Sequence, residues 1–229
     1  TSADLVFEAP AESGVTCTAS LEVNDGTNTS LTWSGEGIFL SEVSEISGSK
    51  TYVEIYNGTS EVVALENYAL VIQRNNNNVY TLDLEGTLSS GDVVFIVKNS
   101  GTDVLELFED PQYIEFNNLI RMDGDDALQL YKKATSDPII CDGNGICDAE
   151  LIDIVGVDGV DPGSGWNVAG VSSATKDHTL VRKDFVLSGN TNWEEAAGTN
   201  ADDSEWLVYE KEDYTYAGQH YNTYCDNFI

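Results

Sequence analysis

"FLSEVSEI" (39–46) and "TYVEIYN" (51–57) set the reading of this chain. In the first, Phe39, Ser41, Val43 and Glu45 alternate with Leu40, Glu42, Ser44 and Ile46. In the second, Tyr52, Glu54 and Tyr56 stand opposite Val53 and Ile55. A period of two, with β-branched and aromatic residues, predicts strands. The theme continues through "YALVIQR", "YTLDL", "DVVFIVK", "ALQLYK", "IDIVGV", "HTLVRKDFV" and "EWLVYE". "NNNN" (75–78) predicts a hairpin loop, and "SSGD" (89–92) a turn in which Gly91 supplies positive φ. Only "VLELFED" (104–110) suits a turn or two of helix. Many short strands separated by turn residues predict a sandwich or barrel. Before them, "LVFEA" and "VTCTASLEV" read as strands and "NDGTNTS" (24–30) as a polar loop. Residues 1–37 are therefore expected to pack on, or cap, a domain spanning 38–229.

The 229 residues carry 40 acids against 10 bases, for a net charge of −30. Binding a nucleic-acid backbone requires Lys and Arg to displace counterions, so direct contact with DNA or RNA is not expected. Cations are the natural small partners, and an acidic surface also suits salty extracellular surroundings. No apolar run reaches the 18–20 or so residues that span a bilayer, so no membrane insertion is expected.

Four cysteines, Cys17, Cys141, Cys147 and Cys225, allow three pairings. The spacing favours a local Cys141–Cys147 bond and a Cys17–Cys225 bond joining the chain ends. Zinc ligation would need CxxC pairs or nearby histidines, and redox CxxC chemistry does not fit the five-residue gap of "CDGNGIC". Two disulfides predict an oxidising compartment: extracellular, cell-surface or periplasmic.

The order of motifs is more specific than any one of them. "FLSEVSEI", "TYVEIYN", "EVVALENYALVIQ", "YTLDLEGTLSSGDVVFIVKNSG", "DGDDALQLYK" (123–132) and "LIDIVGVDG" (151–159) follow in sequence. "SSATKDHTLVRK" (172–183), Trp193 and "SEWLVYEKEDYTYAGQH" (204–220) come after them. This succession, over roughly 38–220, resembles the lamin tail domain in its bacterial secreted version. The resemblance implies an all-β, immunoglobulin-like β-sandwich, with residues 133–150 inserted between two strands and residues 1–37 as extra N-terminal strands. It names no single activity. The animal domain is the globular tail of nuclear filament proteins, and the bacterial one accompanies secreted or surface hydrolases.

Several residue sets invite chemistry. Glu42 and Glu54, on strands expected to be adjacent, could form a paired-carboxylate binding site or be ordinary surface acids. Asp123, Asp125 and Asp126 around Gly124 suit either Ca²⁺ or a hairpin turn. Asp142, Asn144 and Asp148 resemble Asp-rich calcium loops but fail the EF-hand spacing, because Ile146 occupies the next ligand position. Trp166, in "DPGSGWNVAG", is expected to be exposed on a loop and available to a ligand, whereas Trp206 is expected to pack inward. Arg182, in an apolar run, is expected to pair with a sandwich acid. Asn28 and Asn57 stand in N-x-S/T sequons. No nucleophile elbow and no Walker or Rossmann glycine pattern occurs.

These features together predict a non-catalytic interaction or accessory module, secreted or surface-bound and without a required cofactor, whose partner is a protein or a glycan. A Ca²⁺-dependent carbohydrate-binding module is the alternative, and a hydrolase using acidic pairs is a third class.

Overall fold

In the computed structural model the backbone is described for residues 3–8, 16–24, 28–34, 37–45, 51–74, 78–98, 112–142 and 146–220. Side chains are described from residue 37 onward in those stretches, Ile120 and Arg121 aside. The first three strands, β1 (Ala3–Glu8), β2 (Thr16–Asn24) and β3 (Asn28–Ser34), form an antiparallel sheet in the order β1-β2-β3. The stretch expected as a polar loop is thus partly strand. Thr29, Leu31 and Trp33 give β3 an alternation of β-branched, aliphatic and aromatic residues, which the surrounding Ser and Asn obscure.

The main body is an immunoglobulin-like sandwich. Its strands are β4 (Ile38–Glu45), β5 (Tyr52–Asn57), β6 (Val63–Ala64), β7 (Tyr68–Gln73), β8 (Val79–Asp83), β9 (Thr87–Leu88), β10 (Val93–Val97), β11 (Tyr113–Glu115), β12 (Ala127–Lys132), β13 (Glu150–Val155), β14 (His178–Arg182) and β15 (Trp206–Glu210). One sheet has the order β11-β10-β5-β4-β14-β15 and the other β13-β12-β7-β8, while β6 and β9 form a small ribbon. All pairings are antiparallel except β10 with β11. A single-turn helix, α1 (Trp193–Ala197), lies between β14 and β15; its N-cap Asn192 accepts a hydrogen bond from the Glu195 amide. The "VLELFED" segment lies outside the described residues.

Leu40, Val43, Val53, Ile55, Val94, Ile96 and Leu180 from the first sheet meet Leu70, Ile72, Leu128, Leu130 and Ile154 from the second in one core cluster. Each such side chain contributes about 1.5–3 kcal/mol through removal from water. The strict alternation expected for β4 fails at one place. A register shift between Leu40 and Glu42 makes Ser41 a bulge, so Leu40 and Val43 both face the core although their positions have opposite parity. Every residue of β4 and β5 is buried. The second face of this sheet is sealed by the segment after β15: Tyr214 and Ala217 pack against Tyr52, Phe95 and Val97.

A buried ion pair joins the sheets. Arg182, at the end of β14, donates from Nη2 to both carboxylate oxygens of Asp153 on β13, at 2.5 and 2.6 Å. Asp153 also accepts the amides of Leu40 (2.8 Å), Ile154 (3.0 Å) and Asn190 (3.0 Å). Arg182 Nε donates to the Leu40 carbonyl, and its Nη1 donates to Glu205 at 2.8 Å. The guanidinium stands 4.1 Å from the Trp206 ring centroid. Trp206, as the sequence predicts, is fully buried.

The insertion between β12 and β13 carries the Cys141–Cys147 disulfide on a short antiparallel bridge. Ile139 and both cysteines pack on the outer face of the four-stranded sheet with Ala69, Val71 and Tyr131. Lys133 Nζ and the Ile139 amide both donate to Asp83 Oδ1, which fixes the base of the insertion. Cys17's side chain and Cys225 lie outside the described residues.

Gly189 tests how tightly this arrangement is built. A Cβ there would stand 2.3 Å from the Ile152 carbonyl oxygen and 2.6 Å from Asp153 Cβ. Backbone atoms cannot give way, and any shift would move Asp153 off Arg182. Gly189→Ala is expected to destabilise the fold by about 1–3 kcal/mol in denaturant unfolding. A change within about 0.5 kcal/mol would show that the loop yields freely.

Candidate functional site

The bulge at Ser41 places Glu42 directly opposite Glu54 on adjacent central strands. Both carboxylates are 1% exposed. Ser41 Oγ donates to Glu54 Oε1 at 2.6 Å, and the Gly218 amide donates to Glu54 Oε2 at 2.7 Å. The Tyr52 hydroxyl donates to Glu42 Oε1, while Glu42 Oε2 is buried without a hydrogen-bond partner. Burial, with the charge of Glu54 added, pushes the Glu42 carboxyl up to about 8. Burial pushes Glu54 up to about 7, against the hydrogen bonds from Ser41 and Gly218. Two like charges in a dry site favour retention of a proton.

The turn before β12 gathers a second acidic group. Asp123, Asp125 and Asp126 each place a carboxylate oxygen within 4.8 Å of the others. Gly124 takes φ +91°, and a Cβ there would stand 2.5 Å from Lys176 Cβ, so both conformation and packing call for glycine. Thr175 Oγ1 donates to the Gly124 carbonyl at 2.6 Å and accepts the Trp166 amide at 2.8 Å, tying the turn to the 165–176 loop. Arg74 reaches Asp123 Oδ2 (3.4 Å from Nη2) and Asp126 Oδ1 (3.5 Å from Nε). Burial, then the neighbouring Asp123, pushes Asp126 up to about 7 and Asp125 up to about 6.

In the disulfide loop, Asp142 Oδ1 accepts the Ile146 amide and Asp148 Oδ1 accepts the Ile140 amide. Both carboxylates therefore cap hairpin backbone, and Asn144 lies outside the described residues. Among the described residues, the Asp123 group is the one acidic cluster compact enough for a metal ion.

Trp166 is not the exposed loop aromatic expected. It is 9% exposed, and its ring lies over Gly156, where a Cβ would stand 2.7 Å from Cζ3. Loop membership, read from flanking Gly and Pro, does not give side-chain direction. Arg182 has its sandwich acid, Asp153, whose importance no local motif announced. Asn57 is fully buried. Its Nδ2 donates to the Glu61 and Leu88 carbonyls, and its Oδ1 accepts from Thr59, so the sequon asparagine anchors a loop. Asn28's side chain lies outside the described residues.

The histidines are engaged elsewhere. His178 Nδ1 donates to the Lys176 carbonyl at 2.6 Å. His220 is wedged between the Phe39 and Tyr56 rings, and burial, with the charge of Arg182, lowers it to about 4. It is neutral at physiological pH.

A pH dependence follows from Glu42 and Glu54. Their folded values lie above the ordinary carboxylate value of 4.5. Between 4.5 and about 8 the folded protein holds more protons at these positions than the unfolded chain, so their contribution falls as pH rises. The slope is about 1.4 kcal/mol per pH unit for each proton difference. Glu42→Gln is expected to flatten the loss of stability across this window and to raise Tm at its alkaline end. Parallel pH–stability curves for parent and variant would contradict the assignment.

Comparison with known proteins places this architecture. The family model described as Lamin Tail Domain matches residues 32–158, from β3 through β13. The match ends before β14 and β15, which nevertheless complete the six-stranded sheet. No curated protein matches the chain by sequence. Among solved structures, a DUF4876 family protein from Bacteroides thetaiotaomicron is similar at 11% identity and a TM-score of 0.46, covering 96% of this chain and 85% of that one. No helix among the described residues is long and apolar enough to cross a membrane. Since the family model covers more than half of the chain, and its strands form the immunoglobulin-like sandwich described above, the chain belongs to the lamin tail domain family.

Proposed function

We propose that this protein is a non-catalytic, secreted or surface-exposed interaction or accessory module of bacterial type, one that can serve an extracellular hydrolase. The observation that carries this reading is the sealing of the Glu42–Glu54 pair at the centre of the six-stranded sheet. Glu42 and Glu54 have the raised proton affinity that acid–base chemistry uses, yet both are 1% exposed. The Gly218 amide is bonded to one carboxylate, and Tyr214 packs on the Tyr52 ring whose hydroxyl serves the other. A substrate would have to displace the segment after β15 to reach either. The Cys141–Cys147 bond supports an extracellular, cell-surface or periplasmic setting.

A second reading, a Ca²⁺-dependent carbohydrate-binding module, has one observation in its favour. A cleft of about 360 Å³ lies beside the end of β13 and α1, with Ile154, Val157, Asp158, Asn192 and Trp193 among its walls. Trp193 is only 5% exposed, and Trp166 is turned inward, so neither offers a flat face to a sugar ring.

A panel of glycosidic, phosphodiester and ester substrates is expected to show only background turnover. Turnover abolished by Glu54→Gln would contradict the non-catalytic reading. A glycan array with and without Ca²⁺ is expected to give no saturable signal, and Ca²⁺-dependent binding would favour the second reading. Duplex DNA in EDTA is expected not to bind, and micromolar affinity there would overturn the inference from the −30 charge.

A further inference from the structure

The carboxyl groups at the head of β12 crowd together on one tight turn. Asp123, Asp125 and Asp126 bring three carboxyl groups together, and Arg74 pairs with Asp123 and Asp126. Asp161 adds a further negative charge beside Asp125, and Asp123 also bears on Glu45. Lys176 sits behind Gly124, backing the turn rather than pairing in an ion bridge with the three carboxylates.

A cluster of acids alone would be unremarkable on so acidic a chain. Asp126 distinguishes this one. Its side chain is 0% exposed, and no N–H or O–H donor from outside the acidic group bonds either carboxylate oxygen. Its contact with Arg74 is loose: Nε stands 3.5 Å from Oδ1, and Nε too is buried and lacks a hydrogen-bond partner. Buried ionisable groups are normally both paired and hydrogen-bonded, since desolvation is otherwise uncompensated. Here one end of the cluster is dry and unsatisfied, and the other, Asp123, opens to solvent with 56% of its side chain exposed.

We propose that Asp123, Asp125 and Asp126 form a Ca²⁺ site at the head of β12, with Asp126 as its buried anchor. The donor set is hard carboxylate oxygen, which suits Ca²⁺ and excludes ions that require thiolate or imidazole. Ca²⁺ takes six to eight oxygens, so the three carboxylates leave positions for water, which enters past Asp123. Gly124 fixes the tight turn that converges the three side chains, as its packing on Lys176 and the Thr175 hydrogen bond require. The ion would fix the 123–126 turn, which Thr175 already ties to the loop carrying Trp166, and so stiffen that edge of the sandwich. The proposal is independent of what the module binds.

The test uses the full chain, with calorimetric Ca²⁺ titration and thermal unfolding in EDTA and in millimolar CaCl₂. Parent, Asp125→Asn and Asp126→Asn are compared. The parent is expected to bind a single ion per chain, with Kd about 10⁻⁴–10⁻³ M as in extracellular modules. Both variants are expected to bind at least about tenfold more weakly. Ca²⁺ should raise the parent's Tm, because the ion binds the native state. In EDTA, Asp126→Asn should melt no lower than the parent, since the neutral amide removes a crowded charge. Absence of saturable binding up to about 10 mM would overturn the proposal. So would binding undiminished in both variants, which would assign Ca²⁺ to the acidic surface at large. Equal destabilisation of Asp126→Asn in EDTA and Ca²⁺ would also overturn it, making Asp126 only a partner for Arg74. Asp125, partly exposed, gives a variant whose folding is not at risk.

Discussion

The Arg182–Asp153 pair is the constraint on which the sandwich depends. Taking two charges out of water costs several kcal/mol per ion, and their attraction compensates only when the remaining donors and acceptors are satisfied. Here they are. Asp153 accepts two bonds from Arg182 and three backbone amides, and Arg182 also reaches the Leu40 carbonyl and Glu205. Leu40 is held through both its amide and its carbonyl, immediately before the bulge at Ser41. One ionic contact therefore links β4, β13, β14 and the approach to β15. It also spans two stretches of unequal standing: β13 lies within the part that matches the family model, and β14 lies beyond it.

The bulge carries that constraint to the other face of the sheet. By resetting the register it brings Glu42 opposite Glu54, beneath Tyr52 and the segment that holds Gly218. The result is a sheet whose central strands are buried on both sides. The chemistry of these strands is inward: an acid pair whose burial favours retention of a proton, a neutral histidine between aromatic rings, and a buried ion pair. What remains for partners is the outer surface, where the acids of a −30 chain face water and cations.

Much of this was legible in the sequence because it depends on local pattern. The period-two runs around Val53, Leu70, Val94 and Leu128 mark strands directly, and their order carries the family resemblance. The Cys141–Cys147 bond needs only a six-residue separation. Other features depend on partners distant along the chain. Glu42 in "SEVSE" resembles any surface acid, and what buries it lies some 170 residues later, around Asp213 and Gly218. A bulge at Ser41 leaves no mark when both parities carry apolar residues. Asp153, in "LIDIV", is one acid among forty, and Arg182 was conspicuous only because bases are rare. Sequence alone misplaces Trp166, because glycines that form a loop also let an indole fold back onto Gly156. The two-residue strands β6 and β9, and the three-residue β11, are too short to show any period.

The central claim is that one satisfied, buried ion pair organises both sheets. A double-mutant cycle on Arg182→Leu and Asp153→Leu, read by denaturant unfolding, tests it most directly. Arg182→Leu leaves Asp153 buried without its cation, and Asp153→Leu leaves Arg182 with only the partly exposed Glu205, so each is expected to cost about 3–5 kcal/mol. The double variant should cost clearly less than their sum, with a coupling of about 2–3 kcal/mol. Single costs below about 1 kcal/mol, or strict additivity, would contradict the account.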